Sequence, residues 1–115
     1  MPHIVIDFSA GLEKTADIQQ LCNDIQDALS VDTSIPAPKN IRVRARAHAF
    51  YATGLEDQSF AHADFHMLEG RNTETKTHMC ELVLSVMEKH LPDVASLSVY
   101  PYDIAKGGSA KRMKE

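Results

Sequence analysis

No apolar run in this chain approaches the ~20 residues that would carry a helix across a bilayer, which excludes a membrane-spanning helix as its organising feature. Basic charge is also short: 12 Lys and Arg stand against 16 Asp and Glu, a formal net charge of -4. A general nucleic-acid binder needs a cationic surplus to neutralise phosphates, so that class falls away, and only the terminal KRMKE is locally basic. Any chemistry on anions must come from a local cluster. Cysteine is scarce as well. Cys22 and Cys80 each fall in a stretch of helical spacing, and the amino terminus carries neither a basic leader nor an apolar stretch of signal-peptide kind. Together these predict a cytoplasmic, reduced protein. The chain has no glycine-rich phosphate loop and no nucleophile-elbow pattern.

What is present reads as one α/β domain. At 115 residues the chain can bury a single core, and its 43% hydrophobic and 24% charged content are ordinary for a globular protein. His3 to Phe8 is short and rich in Ile and Val, a first strand. From Ile18 the apolar positions Ile18, Leu21, Cys22, Ile25, Ala28 and Leu29 follow the three-and-four spacing of an amphipathic helix, with Asp17 and Gln20 as a capping pair. Pro36 and Pro38 forbid its continuation. IRVRARAHAFY, residues 41–51, alternates strictly, and SFAHADFHML, residues 59–68, alternates again; both predict strands. A second helix is expected from about Thr73 to Leu91, with Met79, Leu82, Val83, Val86 and Met87 inward and Pro92 as its stop. SLSVYPYDI forms a last strand, where Pro101 suggests an edge.

The order strand, helix, strand repeats, with Gly11 and Gly70 at corresponding strand-to-helix turns. Two βαβ halves then build a four-stranded mixed sheet with two helices on one face. The domain covers residues 1–103, and 104–115 form a charged, glycine-bearing tail, mobile unless a neighbouring subunit holds it. The second sheet face carries Arg42, Arg44, Arg46, His48, His62, Asp64 and His66, residues suited to water or to an interface around a wet channel.

Pro2 raises the first chemical question. An initiator methionine is removed ahead of a small side chain, and the mature chain would then begin with a secondary amine. An α-amino group titrates at about 7.7 to 8.0; burial and nearby arginines lower that value by penalising the ammonium. The product is a base suited to proton abstraction, held stiffly by its ring. The plain alternative is that Pro2 only starts an edge strand. Arg42 on a strand and Arg71 just ahead of a helix can each grip a carboxylate, assisted by free amides of the helix that follows; taken singly, each also reads as a surface ion-pair partner. His62, Asp64 and His66 share a strand face and raise a metal site. Residues two apart on a strand are ~6.6 to 6.8 Å apart, so neighbours could share an ion only with strained side chains, and hydrogen-bonded structural histidines are the simpler reading. His78 and His90 read as surface residues of the second helix.

MPHIVI at the start, NIRVRA after the first helix and EGRNTETK before the second, in this order and spacing, resemble the 5-carboxymethyl-2-hydroxymuconate Δ-isomerases of the tautomerase superfamily, over about residues 2 to 100. The resemblance implies a homotrimer whose sheets surround a central channel, and a cofactor-free, metal-free proton transfer by Pro2. The substrate it implies is an unsaturated 2-hydroxy or 2-oxo dicarboxylate from aromatic-compound catabolism. By position, Arg42 and Arg71 match the family's two substrate-contacting arginines. Two other readings accompany it: a trimeric small-ligand binding protein that kept this fold without the activity, and a superfamily enzyme with a different unsaturated acid. Retention of Met1 in the native protein would favour the binder.

Overall fold

The computed structural model describes residues 2–32 and 40–114. The elements run β1 (His3–Ser9), α1 (Ile18–Ser30), β2 (Arg42–His48), β3 (Phe60–Leu68), α2 (Thr73–His90) and β4 (Ser96–Ile104), with a 3-10 turn at Leu12–Lys14 before α1. The stop assigned to Pro36 and Pro38 lies outside the described residues. Strand order is β2-β1-β3-β4. β1 pairs in parallel with β2, β3 pairs in parallel with β4, and the two halves meet antiparallel where β1 pairs with β3. The sheet is therefore mixed, as the doubled βαβ pattern requires.

Alternation decides which face each strand residue occupies. Ile4, Ile6 and Phe8 of β1 and Ala61, Ala63, Phe65 and Met67 of β3 are buried. Against them lie Leu21, Ile25 and Leu29 of α1 and Met79, Val83 and Met87 of α2, all without solvent exposure, so both helices cover the same sheet face. Full burial of one such side chain contributes roughly 1.5 to 3 kcal/mol before entropy is counted, and these side chains form one continuous core. Asp17 caps α1 by accepting the Gln20 amide at 3.0 Å. Gly11 and Gly70 both adopt φ +112°, a left-handed conformation that a Cβ opposes. The two halves thus use the same turn residue for the same backbone reason.

Two expectations need correction. β2 stops at His48 although the alternation continues to Tyr51, because its one partner among the described residues, β1, ends at Ser9, which pairs with His48. Beyond that register there is no ladder to join, and Phe50 stands 95% exposed. His78 and His90 are more than surface residues: His78 Nε2 lies 2.8 Å from Asp32 and His90 Nε2 lies 2.7 Å from Asp24, so the two imidazoles tie α2 to α1. The chain after β4 turns back toward the β3–α2 turn. The Lys106 amide donates to the Glu69 carboxylate at 3.2 Å, and Gly108 adopts φ +89° in the bend that follows. No helix among the described residues is long and apolar enough to cross a membrane.

Candidate active site

Strand register brings the singled-out residues together. His3 pairs with Arg42 on one side and His66 on the other, so the starts of β1 and β2 share one end of the sheet with the end of β3. β4 finishes there too, with Ile104 beside Leu68. Pro2 lies at that end and is buried. Its carbonyl accepts the Arg42 amide at 3.0 Å, which fixes the start of β2 against it. Arg71 follows the Gly70 turn, is half-buried, and donates from Nη1 to the Leu68 carbonyl at 3.3 Å. Three segments far apart in sequence therefore converge on one edge of the molecule.

The amide contribution expected from the helix after Arg71 is reduced. Asn72 caps α2, its side-chain oxygen accepting the Thr75 amide at 2.8 Å, so that donor is already engaged. Glu74 in the first turn further offsets the positive helix end.

His3 belongs to this site, and reading it only as the first residue of a strand missed it. Its Nδ1 lies 3.2 Å from the Arg44 guanidinium. Partial burial, then the charges of Arg44 and Arg42, hold its pKa below the ordinary histidine value, which keeps the ring neutral beside Pro2 at neutral pH. The signal was adjacency to Pro2, but which arginines would face it depends on the β1–β2 register. His3 also lines a cavity of about 300 Å³ with Leu68, Ile104, Ser109, Ala110 and Lys111. Two larger cavities lie elsewhere, one of about 460 Å³ between α2 and β4 and one of about 450 Å³ near Leu12 and His90. None of the three is lined by Pro2, Arg42 or Arg71; the smallest reaches the site only through His3.

The rest of the open sheet face is a set of paired charges. Asp7 accepts from Arg46 and lies 2.8 Å from His48 Nε2. His62 bridges Ser98 Oγ at 2.6 Å and Asp64 at 2.7 Å, while Tyr100 meets the His62 ring edge-on and Tyr102 stacks on His66. His62 and Asp64 thus bond each other directly, and among the described residues no group of three His, Cys, Asp or Glu is placed to hold a metal ion. Burial raises the Asp7 pKa, but hydrogen bonds from Arg46 and His48 outweigh it and the net shift is downward. A carboxylate whose folded pKa is depressed stabilises the fold above its unfolded value and loses that contribution as pH falls through the folded one. Asp7→Asn is therefore expected to lower Tm by a few degrees at pH 7 and to converge on the parent in acid. Thermal melts at pH 7 and through a descending acid series check this.

A sequence model of the 5-carboxymethyl-2-hydroxymuconate isomerase family matches residues 2–101. The chain belongs to that family. As a 5-carboxymethyl-2-hydroxymuconate isomerase family member it is an isomerase, and its fold is that of the tautomerases. A crystal structure of a 5-carboxymethyl-2-hydroxymuconate delta-isomerase superposes with TM-score 0.81 at 22% identity, covering 98% of this chain and 89% of the other. A 5-carboxymethyl-2-hydroxymuconate isomerase from Deinococcus radiodurans R1 gives TM-score 0.82 at 21% identity, covering 98% and 90%. A fused 4-OT, a symmetric trimer, gives TM-score 0.74 at 18% identity, covering 95% and 90%. At these identities the likeness establishes the fold alone. A search of curated proteins gives no match.

Proposed function

We propose that the protein is a cofactor-independent keto-enol isomerase of unsaturated 2-hydroxy or 2-oxo carboxylates of the 5-carboxymethyl-2-hydroxymuconate class. It serves aromatic-compound catabolism in the cytoplasm. The observation that carries this reading is the convergence of Pro2, Arg42 and Arg71, from three separate segments, on one end of the sheet. In the processed chain the Pro2 nitrogen takes the proton of the 2-hydroxyl group as the dienol becomes the 2-oxo form, and returns it to a distant carbon of the conjugated system. Arg42 and Arg71 hold carboxylates and stabilise charge as it develops on the 2-oxygen, where pre-oriented cations act without reorganisation.

A homotrimer completes the site. Two observations support it: the open sheet face of paired polar groups, and a sheet whose outer strands β2 and β4 have no partner on their far side among the described residues. The symmetric trimer among the similar structures adds to them.

The test is a spectrophotometric ketonisation assay on a 2-hydroxymuconate-type acid, using protein whose loss of Met1 is verified by intact mass. Turnover above the solution rate is expected. Absence of turnover with Pro2 exposed as the first residue would reject the isomerase reading in favour of a binder.

A further inference from the structure

The carboxyl-terminal segment lies beyond the family match, which ends at residue 101, and yet it is held at the end of the sheet where His3 and the turn before Arg71 lie. Three contacts fix it to the turn that carries Arg71. The Glu69 amide donates to the Ile104 carbonyl at 2.9 Å, the Lys106 amide donates to Glu69, and Lys106 Nζ lies 3.5 Å from where a Cβ on Gly70 would stand. Beyond the Gly108 bend, Ser109, Ala110 and Lys111 form one wall of the cavity whose other wall is His3, Leu68 and Ile104. Lys111 is the cation of that lining.

This placement meets a need of the proposed chemistry. The muconate chain of the proposed substrate bears two carboxylates, and its carboxymethyl arm bears a third. Two arginines account for two of the three. An ammonium on a flexible stem suits the remaining one, since it supplies charge without demanding bidentate geometry. Resting on the isomerase reading above, we propose that Lys111 is a specificity-determining residue, which binds the third carboxylate and so favours tricarboxylate over dicarboxylate ligands. In the same tail, Lys114 is not part of the cavity wall and serves as a control for net charge.

The test uses stable acids, so that it does not depend on turnover. Calorimetry on the full-length processed protein compares tricarballylate, with three carboxylates, against glutarate, with two. The parent is expected to bind tricarballylate more tightly. In Lys111→Ala that preference should fall by roughly tenfold, equivalent to about 1.4 kcal/mol. Lys111→Arg should restore most of it, and Lys114→Ala should leave it in place. Circular dichroism of each variant confirms an unchanged fold. No preference in the parent, an unmoved preference in Lys111→Ala, or an equal loss in Lys114→Ala overturns the proposal. If the Lys111-dependent preference is found but the ketonisation assay is blank, the tail site stands and the isomerase reading fails.

Discussion

Replacing Pro2 with alanine is expected to lower kcat for ketonisation by about a hundredfold or more, because a positioned general base contributes ~10²- to 10⁴-fold. The loss is incomplete for a physical reason. Alanine is also small enough for methionine removal, so the variant still begins with an amine, but a primary one without the ring that fixes its direction. The fold should survive, since the contact that Pro2 makes with Arg42 is through its carbonyl, which alanine keeps. A pH profile separates a base from a structural residue. The acid limb of kcat/KM records protonation of the essential amine, and activity falls as pH drops through its pKa. That limb should move in Pro2→Ala, whereas a purely structural role would lower the whole curve without displacing it. Residues appended ahead of Pro2 convert the amine to an amide, which has no basic lone pair, and turnover should fall to background. If Pro2→Ala retains parental kcat and the same acid limb, Pro2 is not the base.

How far the sequence foretold this arrangement depends on the distance over which each signal acts. The two-residue alternation of β3 and the three-and-four spacing of α1 are local, and both elements appear where those patterns put them. The paired left-handed glycines, Gly11 and Gly70, were legible because a strand-to-helix turn asks for the same backbone in both halves. Register is another matter. That Arg42 lies beside His3, and that the Arg71 turn returns to the Pro2 end, follows from the order β2-β1-β3-β4, which no local pattern encodes. The partners of His78 and His90 were out of reach for the same reason, since Asp32, just past α1, and Asp24 on it are supplied by the docking of one helix on another. The tail gave no signal at all. AKGGSAKRMKE has no periodicity, and its return toward the β3–α2 turn rests on the hydrogen bond from the Lys106 amide to Glu69.

Truncating Arg42 or Arg71 to alanine is expected to lower kcat/KM by about 10²- to 10³-fold, the range for removing one pre-oriented donor from a developing oxyanion. The division between kcat and KM reports what each one does. An arginine that grips a carboxylate equally in ground and transition states raises KM and spares kcat, whereas one aimed at the 2-oxygen lowers kcat. Their settings differ in a way that orders them. Arg42 has its backbone pinned to Pro2 and its side chain on the exposed face beside His3. Arg71 is half-buried, with its guanidinium against the Leu68 carbonyl and its backbone fixed between the Gly70 turn and the Asn72 cap. Fewer rotamers remain to be frozen on binding at the second position, and fewer waters screen it. Arg71→Ala should therefore cost more kcat, and Arg42→Ala more KM. Lysine at either position keeps the charge but loses the planar fork, so Arg71→Lys should recover only part of the loss. Steady-state kinetics of the four variants, alanine and lysine at each position, decide the assignment, and parental kcat/KM in both alanine variants would remove the arginines from the site.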